Sequence, residues 1–446
     1  MKRLFAILMM LMFALSLNSC GKTYAENPLE VTSDQLVLYI APGADYMMYA
    51  ALEIYQKQYP EVNVEIKNFG RDWDAQGTAD YLKILQTDLA AGSGPDLIVW
   101  DFEFADPFKT MASEVFDDLN PYLYYDNTFN MADYNEVVLN AGIYNGKQYV
   151  IPLGYYFPLL MTTKEILEEE GLSGDGTLSF DAYRESLQFY AEKHKVYPFT
   201  RDLGLLTLWP WLGQDFMDYE GGKVKKNVLH SDSFRKMMET YKSYHLYGGF
   251  DYRGEDTAQL QQKKTLWALN IFDIDGVVEI YSALSYENTP VMSTMKSSEN
   301  KIIARAWQNT SIRANSKNKA NAWNFLKILL SENIQAAEVG SPFGYPVLKS
   351  ALLLQAEGTL DAWKETAYVD DVTGERIVHA NMSDREIKNL VSLVSRVDSC
   401  TLDNSKLQSV RTGFMWDSML PFFEDEKSYE QCLADLENKL ELYIGE

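Results

Sequence analysis

Apolar and polar positions alternate along the first hundred residues in two different rhythms. Gln35–Pro42 (QLVLYIAP) is a short apolar run that stops at Ala-Pro-Gly, as a buried strand does. From Asp45, DYMMYAALEIYQKQYP places apolar and aromatic residues three and four apart and is stopped by Pro60, which predicts a helix. In EVNVEIKNF the period falls to two: Val62, Val64 and Ile66 share one face of a second strand. TADYLKILQTDLAAG returns to the helical period and is ended by Gly92, and PDLIVW is a third strand. Strands and helices alternating in units of this size predict a parallel sheet covered by helices.

Farther along, the rhythm favours helices and aromatic residues. GKQYVIPLGYYFPLLMTT, broken by Pro152 and Pro158, reads as a strand pair or a crossing between domains. TLSFDAYRESLQFYAEKHK contains a helix opening near a cap-like Ser179. SDSFRKMMETYKSYHLYGGF is another helix, closed by Gly248 and Gly249, and KKTLWALNIFDIDGVVEIYSAL supplies a strand, a turn and a helix. NKANAWNFLKILLSENIQ and the terminal YEQCLADLENKLELYI are amphipathic helices. No repeat, low-complexity tract or Pro-Ser linker separates domains, so two domains would share the chain by crossing over.

The amino terminus changes the picture from fold to location. Lys2 and Arg3 precede an apolar run, Leu4 to Leu17, that is shorter than the roughly 20 residues a spanning helix needs. The run ends in LNSC, which resembles a lipoprotein box with cleavage before Cys20 and a lipid on its sulfur; the alternative is an ordinary export signal with an incidental cysteine. Residues 1–19 are then the signal and 20–34 a polar tether, holding the protein at the outer face of a plasma membrane. Forty basic against 64 acidic side chains give a net charge of −24, or −26 once Lys2 and Arg3 are removed with the leader. Such a chain repels nucleic acid and anionic lipid. Cys400 and Cys432 read equally as a disulfide or as two buried thiols.

Candidate chemistry narrows further by exclusion. In AAGSGPDLIVW the glycines end a helix and precede a strand, the reverse of a nucleotide-binding loop, and no Lys-Ser or Lys-Thr follows them. Asp96 therefore reads as a turn residue. The four histidines, His194, His230, His245 and His379, lack metal-ligand spacing, and no Gly-x-Ser-x-Gly or His-Glu-x-x-His occurs. No cofactor, metal or catalytic residue is expected. Acidic pairs such as Asp101/Glu103 and Asp273/Asp275 would suit a glycoside hydrolase, but 64 acidic residues make such pairs common by chance. The aromatic residues are more informative. Trp100, Tyr155, Tyr156, Trp209, Trp211, Trp267, Trp307 and Tyr345 lie mostly near Pro, Gly or Asp. Half of them are expected as core; the rest suit sugar rings stacked on aromatic faces, with carboxylates taking the hydroxyls.

Taken in order, several segments resemble the family 1 extracellular solute-binding proteins, the capture components of carbohydrate ABC importers. They are LNSC, the first strand and helix, ILQTDLAAGSGPDLIVW, NGKQYVIPLGY, SIRANSKNKANAWNFLKILLSENIQ and FGYPVLKS, which after LNSC are spread in order over residues 35–350. The chain departs from the family pattern at Thr162-Thr163-Lys164, where Tyr-Asn-Lys is usual, and at WLGQDF, where Gly-Gly is usual. The resemblance implies an α/β fold of the periplasmic-binding-protein-like type II: two α/β lobes, a ligand cleft and crossing hinge segments. The first lobe is expected over 35–145 plus about 290–355, and a second, helix-richer lobe over about 146–289 plus about 356–446. It also implies a non-enzymatic monomer that closes on a mono- or oligosaccharide and docks on ABC permease subunits. A surface glycan-binding or sensor-partner protein is the alternative. Because ligands of open α/β sheets bind at strand ends, the expected contacts are Trp100 and Asp101 in the first lobe, Tyr155, Trp209 and Trp211 in the second, Asp273 and Trp307 near the crossings, and Asp45 at a helix start. Asp45 has a plain helix cap as its alternative role.

Overall fold

A computed structural model describes residues 24, 27–70, 75–100, 106–174, 176–200, 204–208, 216–247, 260, 263–270, 273–285, 288–337, 344–364, 367–369, 376–378, 382–403 and 409–445. The opening alternation folds as its periods require: β1 (Gln35–Ile40), α1 (Asp45–Gln58), β2 (Asn63–Asn68), α2 (Ala75–Ala90) and β3 (Leu97–Trp100). β1 pairs in parallel with β2 on one side and β3 on the other. All four residues of β3 are buried, as in a strand covered on both faces.

The middle of the chain adds α3 (Pro107–Ala112), β4 (Ile151–Tyr156), β5 (Leu159–Thr163), β6 (Gly176–Leu178), α4 (Phe180–His194) and α5 (Asp232–Tyr244). Then follow β7 (Ala268–Asn270), α6 (Ile274–Leu284), β8 (Pro290–Met295), β9 (Ile303–Ile312), α7 (Lys319–Leu329), β10 (Tyr345–Pro346), α8 (Lys349–Lys364), α9 (Asp384–Val394), β11 (Ser399–Leu402) and α10 (Tyr429–Gly445). Ser179 caps α4, its hydroxyl accepting from the Ala182 amide at 3.2 Å.

Two main sheets result. The larger has the order β10-β4-β9-β3-β1-β2, with β11 also on β9; the smaller has the order β7-β5-β8-β6. The chain leaves the larger sheet at the end of β4 and enters the smaller through Phe157-Pro158, then returns between β8 and β9. Ile151–Tyr156 thus belongs to the larger sheet through antiparallel pairing with β9 and β10. Pairing in the larger sheet ends at Tyr156, so Phe157 is the first residue beyond it.

The loop between α2 and β3 shows how the glycine motif works. Gly92 sits at φ +73° and Gly94 at φ +105°, backbone that glycine adopts without a Cβ clash. The Ser93 amide reaches back to the Asp88 carbonyl at 2.8 Å, closing the helix end. Asp96 then ties the turn to the sheet. One of its oxygens accepts from the Val37 amide at 2.7 Å and Asn318 Nδ2 at 2.9 Å. The other accepts from Ser316 Oγ at 2.7 Å and the Arg313 guanidinium at 3.2 Å.

Candidate ligand cleft at the lobe crossings

The floor between the two sheets is built on β9, ten consecutive buried residues. Its two halves carry different neighbours on one edge. β11 runs parallel to Ile303–Ala306, whereas β3 runs antiparallel to Asn309–Ile312. The two strands therefore approach each other head-on, and their carboxyl ends meet beside Gln308. That residue holds φ +48°, a left-handed conformation uncommon for a non-glycine residue. Strand carboxyl ends are where open α/β sheets receive ligands.

Side chains from β4, β9 and the end of β11 join a buried polar cluster here. Tyr156 donates to Asp403 Oδ2 at 2.5 Å, and Arg305 pairs with the other carboxylate oxygen at 3.4 Å. Asn309 Nδ2 donates to the Asp403 carbonyl at 3.0 Å. Trp307 meets the Tyr156 ring edge-on, with centroids 5.4 Å apart. A buried charge pair repays its desolvation only when the surrounding lone pairs and protons are also satisfied, and the tyrosine and asparagine contribute to that here.

The expected contact residues divide into three groups. Asp101, Trp209, Trp211 and the lipidation residue Cys20 lie outside the described residues. Tyr155 and Asp273 both neighbour Tyr345, whereas Trp307 meets Tyr156 on the opposite face of β4. Tyr155 is fully buried, donates to the Val394 carbonyl at 2.8 Å and packs on Tyr345. Trp307 lies on the neighbouring strand. Asp273 caps α6, accepting from the Gly276 amide at 2.9 Å. Burial raises the Asp273 carboxyl above its ordinary range, opposed by that amide and reinforced by Asp275. The Tyr345 hydroxyl is pushed well up, by burial first and then by the Asp273 charge and Tyr155.

Asp45 and Trp100 belong to the larger-sheet lobe, Asp45 at the start of the helix after β1 and Trp100 at the end of β3. Asp45 opens α1 and is 4% exposed; its Oδ1 is buried with no hydrogen-bond partner. Trp100 is 1% exposed, donates from Nε1 to Ser311 Oγ at 3.2 Å and lies flat against Phe116. The reason is local: β3 is covered on both faces, so its last side chain is enclosed with the others, and the contacts it makes here are core contacts.

Arg305 and Asp403 were not singled out by sequence, and of the aromatic pair Tyr155-Tyr156 only the first was expected as a contact. Their partnership spans up to 247 residues and leaves no local pattern. The one available signal was the period-two alternation of β4, which puts Tyr156 on the opposite face from Tyr155.

Among the described residues no cluster of His, Cys, Asp or Glu is arranged to hold a metal ion, and no helix is long and apolar enough to cross a membrane. Cys400 and Cys432 are free thiols. Burial raises both above the ordinary thiol value.

Comparison with known proteins follows the same outline. The sequence model described as "Bacterial extracellular solute-binding protein" matches residues 40–336. No curated protein sequence matches the chain. Among solved structures, the sugar-binding protein MalE from Xanthomonas citri is similar with a TM-score of 0.64 at 16% identity, covering 92% of this chain and 97% of that one. A family 1 extracellular solute-binding protein from Alicyclobacillus acidocaldarius gives a TM-score of 0.60 at 14% identity, over 92% and 98% of the two chains. A periplasmic oligogalacturonide-binding protein from Yersinia enterocolitica gives 0.60 at 15% identity, over 92% and 98%. The fold is thus of the periplasmic-binding-protein-like type II, two α/β lobes joined by crossing strands. That family is one of binding proteins rather than enzymes. With the matched region spanning well over half of its length, the chain belongs to the bacterial extracellular solute-binding protein family.

Proposed function

We propose that this protein captures a sugar or oligosaccharide outside the cell and delivers it, unchanged, to the permease subunits of an ABC importer. The observation that carries the reading is the crossing itself: strand ends converge on a floor of aromatic and hydrogen-bonding side chains, Tyr156, Trp307, Arg305 and Asp403, between two separately built lobes. Rings of sugars stack on such aromatic faces, and charged or amide groups take their hydroxyls. Asp45, with a buried oxygen lacking a partner at the end of β1, supplies a further acceptor for a hydroxyl. Structures of similar fold point the same way: one from Listeria monocytogenes is a complex with cycloalternan, and the Yersinia protein is described as binding oligogalacturonides.

In this reading the lobes rotate about β4, β9 and β11 and close on the cargo, a hinge motion. Transport energy comes from the importer's ATPase, so the chain needs no nucleotide. A diacylglyceryl group on Cys20 tethers the protein, a monomer, to the outer face of the plasma membrane. Asp101, Trp209 and Trp211 complete the set of contacts. Titration calorimetry against a panel of neutral and acidic oligosaccharides tests the proposal. A bound sugar recovered intact supports capture; tight peptide or metal binding with no sugar binding overturns it, and conversion of the sugar assigns a hydrolase instead.

A further inference from the structure

Among the described residues, two contacts away from the crossing strands join the lobes at the same short helix. Tyr443, near the end of α10, donates from its hydroxyl to Asp106 Oδ2 at 2.5 Å. Its backbone carbonyl accepts from Lys109 Nζ at 2.9 Å, and that ammonium lies 4.7 Å from the Tyr443 ring centroid. Asp106 is also the cap of α3, accepting from the Phe108 and Lys109 amides. The second contact comes from the hairpin of Met217–Asp218 with Lys223–Val224. Tyr219 in its turn stacks flat on Phe108, with centroids 4.1 Å apart and planes 10° apart. The next residue, Glu220, accepts from the Asn145 amide at 2.8 Å.

We propose that these contacts are one latch between the lobes, made and released as a unit; this rests on the reading that the lobes move relative to each other. Three features support it. α10 packs directly on the hairpin, so both gripping elements belong to one body. Phe108, Lys109 and the capping Asp106 are consecutive or nearly so on α3, so both grips hold one element of the other lobe. Beside the hairpin grip, bordered by Phe108 and Tyr219, lies a cavity of about 450 Å³ whose walls include Asn140, Asp218, Lys225, Lys301 and Thr401 as well as apolar groups. The surface between the lobes there is thus open and partly polar rather than continuously packed, and polar interfaces between domains part readily.

Amide hydrogen exchange on the mature, ligand-free protein tests this. Tyr443→Phe keeps the ring and removes only the hydroxyl that holds Asp106. Exchange should accelerate about tenfold, the equivalent of one hydrogen bond of ordinary strength, in residues 106–112. It should accelerate by a similar factor in residues 217–224, which Tyr443 Oη does not bond. The reciprocal variant, Tyr219→Leu, should accelerate exchange in 440–445, and residues 303–312 should remain unchanged in both. Acceleration confined to the segment that loses its own contact would show two independent contacts and overturn the latch, as would no acceleration at all. The readout needs no sugar, so failure to find a carbohydrate ligand would leave its result standing, and failure of the latch would leave carbohydrate capture untouched.

Discussion

Asp96→Asn isolates the scaffold role of the most recognisable motif in the chain. The Asp96 side chain is fully buried and its two oxygens receive four donors: Val37 N, Asn318 Nδ2, Ser316 Oγ and Arg313. Asparagine has the same shape but offers one oxygen, and its NH2 must face two of those donors. The less costly orientation turns the NH2 toward Ser316, whose hydroxyl can rotate to accept, and toward Arg313, which then loses its bond to the Asp96 carboxylate. Arg313 keeps bonds to the Pro95 and Gly92 carbonyls and to Asn315, so its charge is not stranded. Losing one charge-assisted bond at about 1.5–3 kcal/mol, with a partial penalty for the displaced arginine, gives a destabilisation of about 2–4 kcal/mol. Asp96→Ala strips all four donors and should cost more, about 3–5 kcal/mol. Urea unfolding followed by tryptophan fluorescence measures both. Ligand affinity of the folded fraction should be unchanged. A loss below about 1 kcal/mol for the alanine variant, or a loss of affinity with stability intact, would refute the assignment of Asp96 to the scaffold.

Further outcomes follow from the same structure. Trp100→Ala should destabilise the protein by about 3–5 kcal/mol, as expected for a buried tryptophan, and calorimetry on the remaining folded protein should find sugar affinity unaltered. Asp403→Ala leaves Arg305 buried without its carboxylate and should cost about 3–5 kcal/mol by denaturant titration; Tyr156→Phe, which removes one bond, should cost less. The Asp126 carboxyl is raised by burial but driven well below its ordinary value by hydrogen bonds from Lys327, Thr128 and Trp323. A depressed folded-state pKa contributes stability above the unfolded value of about 3.9 that is lost as pH falls below it. Asp126→Asn should therefore flatten the acid limb of a pH-stability curve while lowering stability at neutral pH. Trp209→Ala and Trp211→Ala should each weaken sugar binding by about 1–3 kcal/mol, by analogy with other ring stacking; unchanged affinity in both would make them core residues.

What could be read in advance depended on distance along the chain. The alternation of β1 to β3, the Ser179 cap and the Gly92 helix end are set by neighbours within a few residues, so period and turn chemistry reveal them. The place where β4 leaves the larger sheet was harder, because GKQYVIPLGYYFPLLMTT is apolar throughout and shows no change of period at Phe157-Pro158. Trp100 illustrates the opposite difficulty. Its position at a strand end suggests a ligand contact, and nothing in its own stretch of sequence reveals its partners Phe116 and Ser311, brought in from elsewhere in the fold. The Tyr156–Arg305–Asp403 cluster was invisible because each member is ordinary alone, and only the meeting of three crossing strands makes it a site.

The central claim is reversible capture of an intact carbohydrate between the lobes. Its most direct test is calorimetric titration of the mature protein with oligosaccharides, with the bound material then released and its mass measured. The account predicts one-to-one binding of a sugar, recovered unaltered, that is weakened by Asp45→Asn. Absence of binding across neutral and acidic sugars, or recovery of a shortened product, would contradict it.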